Sequence, residues 1–205
     1  MASTTPIQED ILATQILQAA LQLYLKHGLK KVTMDDVSKV IGKSRSTIYY
    51  YFKSKDEIFE AVMEALVIEV IEEIAQAMEK EDNLEEQIRA FCLAKIKTSE
   101  NKKTIFSAME AGMDADEISI HVQIMGAVHM RLIKQETALI KKHLSFAASK
   151  RAIRSLKPKE QDMFIFILLS STRGIKREMA YENNFGNLKT TIDTLTSMMM
   201  KWLND

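Results

Sequence analysis

Apolar residues recur at helical spacing along almost the whole chain. Leu12, Ile16, Ala19, Ala20 and Leu23 form one stripe, which predicts a first helix that stops at Gly28, a good C-terminal cap. Thr33 offers an N-cap to a second helix, with Asp35 and Asp36 in a first turn where the helix dipole favours anions. Met34, Val37, Val40 and Ile41 supply its buried face, and Gly42 ends it. Ser44 caps a short third helix through Phe52, in which Ile48 and Phe52 lie four apart and face inward. Ser54 to Glu57 has the form of a capping box, opening a longer fourth helix to about Lys80.

The pattern then continues as a helical array. Asn83 and Glu86 predict a start, with a helix to about Ser99, and a shorter helix follows from about Asn101 to Ala111, closed by Gly112. A long helix runs from about Asp114 to the Ala147–Ala148 region. Pro158 suits a first helical position and opens a segment through Phe164, Ile165, Leu168 and Leu169 to about Tyr181. The Asn183–Asn187 stretch, with Gly186, interrupts the pattern before a final helix to Trp202. No stretch alternates as a strand does, and the chain has no internal repeat or low-complexity linker. The predicted fold is all-α, with a three-helix N-terminal domain over residues 1–58 and a larger helical domain over residues 59–205. The boundary falls inside the fourth helix, near Phe59, because no loop separates the two parts.

Composition supports this reading. Only 2 Pro and 6 Gly are present, and the hydrophobic fraction of 46% with 27% charged residues is that of an ordinary soluble globular protein. Formal net charge is zero, so the whole-chain value points to no nucleic-acid or membrane partner. Its distribution changes the picture. From Lys26 to Asp56 the basic residues Lys26, Lys30, Lys31, Lys39, Lys43, Arg45, Lys53 and Lys55 face only Asp35, Asp36 and Asp56. Such a local excess attracts phosphate, or else forms a solvated surface. The single cysteine, Cys92, lies in the apolar pattern Ile88, Phe91, Cys92, Ile96 and is expected to be a buried thiol in a reducing compartment. The N-terminus has no basic-then-apolar run, and no apolar segment approaches the ~18 residues a membrane span needs. A cytoplasmic protein without membrane contact is expected.

Three short helices, the second and third joined by the tight Gly42–Lys43–Ser44 turn, make the arrangement of a helix-turn-helix. Ile48 and Phe52 anchor the third helix, leaving Arg45, Ser46, Thr47, Tyr49 and Tyr50 to project outward. A planar cation, small hydroxyls and phenols suit base-edge and phosphate contact. Arginine can bond guanine O6 and N7 together, and tyrosine can bond a phosphate while its ring presses on a thymine methyl.

The run from Thr33 to Phe59 (TMDDVSKVIGKSRSTIYYYFKSKDEIF) resembles the N-terminal domain of TetR-family transcriptional regulators. Their pattern joins a Thr-capped helix, a Gly turn, Ser, Thr, an apolar residue, Tyr, an aromatic or His, Phe, and a Lys beginning the fourth helix. The match covers about a quarter of the chain. By this resemblance Thr47, Tyr49, Tyr51 and Lys55 contact phosphates, Tyr49 also lies near base edges, and Arg45 and Ser46 read sequence. Thr33 and Ser44 serve as caps, as DNA contacts, or as both; Tyr50 is a contact or a solvated ring, and Tyr51 a contact or a ring packed along the first helix. Two positions depart from the pattern: Lys43 stands where the turn is usually apolar and adds a phosphate contact, and Ser46 replaces the more usual Gly or Pro.

The same resemblance implies a homodimer whose last two helices pack against their counterparts, a ligand-binding and dimerisation role for the larger domain, and a double-stranded operator as partner. Candidate interface residues are Ile165, Leu168, Leu169, Thr172, Leu195, Met199 and Trp202, some of which also fill the monomer core. A small, largely apolar effector would lie among Phe91, Ile96, Phe106, Met109, Met113, His121, Met125 and His129, or these residues are ordinary core. His121 and His129 are two turns apart, ~12 Å by helix rise, too far to share a metal. No metal, cofactor or enzyme signature is expected: the chain has no nucleophile elbow, phosphate-binding Gly loop or nearby Cys/His combination. The function implied is a dimeric repressor released from a palindromic operator by its effector; the alternative is a DNA-binding regulator without a small ligand.

Overall fold

The computed structural model describes residues 6–205, and it is all-helical. Among the described residues there are eight helices: α1 (Pro6–His27), α2 (Met34–Ile41), α3 (Arg45–Tyr51), α4 (Lys55–Glu79), α5 (Leu84–Glu110), α6 (Ala115–Ser149), α7 (Pro158–Tyr181) and α8 (Leu188–Asn204). Their ends follow from local chemistry. Thr33 and Asp36 close a reciprocal capping box on α2, each side chain meeting the other residue's backbone N–H. Gly42 leaves α2 in the left-handed region at φ 64°, so its N–H and that of Lys43 turn back to the Lys39 and Ser38 carbonyls. The Glu57 N–H donates to Ser54 Oγ at 3.1 Å at the start of α4, and Asp114 and Glu117 cap α6 reciprocally. Pro158 opens α7, with the Lys157 N–H on the Glu160 carboxylate at 2.8 Å.

Two expectations change. The helices predicted before and after Ser99–Glu100 are one, α5, because polar residues in a run without Gly or Pro cost the helix only a few tenths of a kcal/mol each. Val40 is 54% exposed rather than buried, and Ser38 is buried with its hydroxyl donating to the Asp35 carbonyl at 2.8 Å. Met34, Val37, Ser38 and Ile41 share one stripe of α2, and Val40 lies roughly a third of a turn off it.

By packing, the chain forms two compact units. The first comprises the described residues up to Ile68 with Asn101–His129, the second Glu69–Glu100 and Met130–Asp205. The division read from the sequence, residues 1–58 and 59–205, is therefore not the division by packing: α4, α5 and α6 each run unbroken through residues of both units. In the first unit Ile16, Tyr24, Ile48, Phe59, Met63 and Met109 are fully buried, with Tyr24 edge-on to Phe59 at 6.1 Å. The second unit's core gathers Ile74, Phe91, Cys92, Leu144, Phe164, Leu168 and Ile192. Cys92 is buried as expected; burial pushes its thiol up to about 11, and its sulfur meets Thr172 Oγ1 at 3.3 Å. Among the described residues no helix is long and apolar enough to cross a membrane.

Candidate nucleic-acid interface

The third helix is held from one side only. Ile48 is fully buried and Phe52 half-buried, while Arg45, Ser46 and Tyr50 are exposed and Thr47, Tyr49 and Tyr51 half-buried. Ser44 caps α3 by accepting the Thr47 N–H at 3.2 Å, and its hydroxyl lies 2.8 Å from those of both Ser46 and Thr47. Ser44 is thus a cap, as is Thr33, and each keeps an exposed position. Lys43 is exposed in the turn. The Tyr50 ring, 65% exposed, meets Tyr51 edge-on with centroids 5.2 Å apart.

Arg45 is held across the motif. Its Nε lies 3.1 Å from Asp35 Oδ1, its Nη1 donates to Asp35 Oδ2 at 3.4 Å, and its Nη2 donates to the Tyr49 hydroxyl at 3.4 Å. The guanidinium carbon also lies 5.4 Å from the Tyr49 ring centroid, within cation–π range. Lys53, which the sequence offered only as part of a basic excess, donates to the Tyr49 and Tyr50 carbonyls at 2.9 and 3.1 Å and satisfies the end of α3.

Lys55 has a more specific setting than a free cation. Its ammonium donates to the Lys30 carbonyl at 3.1 Å, and burial lowers its pKa from the ordinary lysine value. Lys30 itself pairs with Asp114 at 3.1 Å and Glu117 at 3.0 Å. Beside it the Leu29 N–H donates to the Met109 carbonyl at 3.0 Å, and Gly28, at φ 79°, brings its Cα against the Ala111 carbonyl. The α1–α2 loop is therefore seated on the α5–α6 turn, a packing between segments far apart in sequence that no helical periodicity encodes.

With this geometry the comparison with known proteins is direct. Residues 16–62 match the N-terminal domain of bacterial regulatory proteins, tetR family. Residues 16–62 thus carry a domain of the tetR family. Two relatives also align: the uncharacterized HTH-type transcriptional regulator YhgD of Bacillus subtilis is 38% identical over 64 residues, 31% of this chain and 34% of that protein. TtgR of Pseudomonas putida is 32% identical over 71 residues, 35% of this chain and 33% of that protein. The matched stretch thus spans about a third of the length of these relatives. The fold likeness is wider. The structure of the fatty acid degradation regulator FadR from Bacillus halodurans superposes with a TM-score of 0.59 over 97% of each chain, at 14% identity, a likeness of fold alone.

The other candidate residues divide between the units. Phe91 and Ile96 are buried in the second unit. Met109 and His121 are buried in the first, where Phe106, Met113 and Met125 are half-buried and His129 is exposed. His121 lies against the Phe59 ring, centroids 5.6 Å apart, and its Nε2 is 3.3 Å from the Glu110 carboxylate. Of the candidate interface residues, Ile165, Leu168, Leu169, Thr172 and Met199 are buried inside their own chain, and Leu195 and Trp202 are half-buried. Trp202 stacks on Phe164 at 6.0 Å and lies under the Arg154 guanidinium at 4.5 Å. The large apolar side chains that α7 and α8 expose are Met163, Phe166, Ile167, Tyr181 and Met198.

Proposed function

We propose that the chain is a DNA-binding transcriptional regulator that acts in the cytoplasm as a homodimer, repressing from a two-fold-symmetric operator and released by a small, largely apolar effector. The observation that carries this reading is the third helix: within a tetR-family domain it is anchored by Ile48 and leaves Arg45, Tyr49 and Tyr50 outward. A helix so held enters a major groove, where Arg45 bonds guanine O6 and N7 while Lys43, Thr47, Tyr49 and Tyr51 bond phosphates. Lys55 spends one of its three N–H donors on Lys30 and keeps two for a phosphate. Two such helices in a dimer meet successive grooves of a palindrome. Phe166, 68% exposed, with Met163, Ile167 and Met198, supports α7 and α8 as the face a second copy covers, since the buried residues of those helices are already committed to their own core. A repressor of this kind binds and holds; it carries out no reaction.

A second reading, regulation without a small ligand, draws support from Phe91 and Ile96, which are fully packed in the second unit's core.

The experiment is a selection from randomised duplexes followed by binding at several salt concentrations. The expected result is an enriched two-fold motif and affinity that falls steeply with salt. Tyr49→Ala weakens binding to every duplex, whereas Arg45→Ala changes which duplexes are preferred. Recovery of no two-fold motif overturns the reading.

A further inference from the structure

Resting on the DNA-binding reading above, we infer that Asp35 is a positioning residue for sequence recognition: its carboxylate holds the Arg45 guanidinium ready for a guanine edge and withholds it from phosphate. Asp35 stands in the first turn of α2 and Arg45 in the first turn of α3, so the contact crosses the two helices of the motif. The guanidinium lies between the Asp35 carboxylate, at 3.1 and 3.4 Å, and the Tyr49 hydroxyl, at 3.4 Å. Its side chain remains 63% exposed, so its outer edge is open to a ligand.

A solitary arginine at the start of a recognition helix is drawn to the nearest phosphate, which carries no sequence information. Pairing with Asp35 removes most of that attraction, because a phosphate must approach a carboxylate as well as the cation. A guanine edge offers two neutral acceptors, O6 and N7, in a fixed plane, and meets no such repulsion. The carboxylate therefore separates base from backbone on charge, while Tyr49 and Asp35 together restrict the rotamers of Arg45 before DNA arrives.

Asp35 is not needed to cap α2. That role belongs to Asp36, which accepts the Thr33 N–H at 3.0 Å, and the Ser38 hydroxyl uses only the backbone carbonyl of Asp35. Removal of the Asp35 charge thus leaves the helix start intact.

The test compares the duplex that the wild-type chain enriches from a randomised library with a shuffled duplex of equal length, each titrated across salt. For Asp35→Asn we expect tighter binding to the shuffled duplex, a steeper salt dependence by about one phosphate contact, and preference for the enriched duplex reduced on the order of tenfold. Asp35→Glu restores much of the preference, since it restores the charge. In an Arg45→Ala background Asp35→Asn has no further effect on preference. Equal loss on both duplexes with an unchanged salt slope makes Asp35 merely structural and overturns the inference. If Asp35→Asn still alters preference without Arg45, the pairing is overturned as well. Failure of the wild type to enrich any duplex is a different result, and removes the DNA-binding reading together with this one.

Discussion

Each unit joins two of its helices by a pair of opposite charges, and burial makes the two pairs different objects. In the first unit Arg45 and Asp35 keep 63% and 47% of their side chains exposed. Water screens such a pair, so it contributes little to stability and stays available for binding. In the second unit Lys95 on α5 meets Glu136 on α6 with side-chain exposures of 10% and 0%. Both charges have left water there, Glu136 Oε2 has no hydrogen-bond partner among the described residues, and mutual attraction offsets a desolvation cost of several kcal/mol per ion. The surface pair can be rearranged by a ligand at small cost; the buried pair cannot be half removed without leaving a charge stranded.

The largest expected effect follows from that contrast. Lys95→Ala leaves the Glu136 carboxylate unpaired inside the core and should cost roughly 3–5 kcal/mol of unfolding free energy. The double substitution Lys95→Met with Glu136→Leu removes both charges, fills similar volume, and should recover most of the loss. Asp35→Asn should leave the urea midpoint almost unmoved. Urea titrations with a shared slope measure all three. If Lys95→Ala proves as mild as Asp35→Asn, burial does not separate the two pairs.

A second contrast lies within the first unit, between two glycines that end helices. Gly28 and Gly42 both adopt left-handed backbone, at φ 79° and 64°, a conformation that costs other residues about 1 kcal/mol. They differ in surroundings. A Cβ on Gly42 meets open space, whereas one on Gly28 stands 2.5 Å from the Ala111 carbonyl oxygen, which as backbone cannot rotate away. Gly42→Ala should therefore cost about 1 kcal/mol and Gly28→Ala roughly 2–4 kcal/mol, since the α5–α6 turn must move. Equal thermal shifts in the two variants would mean that the turn yields freely.

These glycines also mark what the sequence could reveal. As helix stops both were legible, along with the Thr33 and Ser44 caps, the Ile48 anchor and the Pro158 start, because each acts on neighbours a few residues away. The seat of Gly28 on Ala111, the Lys30 pairing with Asp114 and the grip of Asp35 on Arg45 were not, because they join segments that only the fold brings together. The outward face of α7 was not legible for another reason. Met163 to Leu169 is apolar at every position, so helical periodicity cannot say which side enters the chain's own core. The structure assigns Phe164, Ile165, Leu168 and Leu169 inward and Met163, Phe166 and Ile167 outward. Continuity of α5 was missed because polar residues near Ser99 weaken a helix without ending it.

The smallest expected effect concerns a device present in both units. Asp36 at the start of α2 and Glu160 at the start of α7 each reach back to the residue before the helix. The Thr33 hydroxyl and then its N–H hold the Asp36 carboxyl below the ordinary carboxylate range; the Lys157 N–H and then the Arg154 guanidinium do the same for Glu160. A depressed folded pKa means that the contribution is fully present above the ordinary value for the acid and is lost as pH falls through the lower, folded one. Thr33→Ala removes one such partner and should cost about 1 kcal/mol near neutrality. Asp36→Asn and Glu160→Gln remove the titrating groups themselves, so each variant should be less stable than wild type near neutrality, and the gap should close as pH drops through the acid range. Thermal midpoints taken across that range decide it. A gap that stays constant with pH for Asp36→Asn but closes for Glu160→Gln would show that the box on α2, at the exposed edge of the recognition motif, does not depend on the charge of its acid.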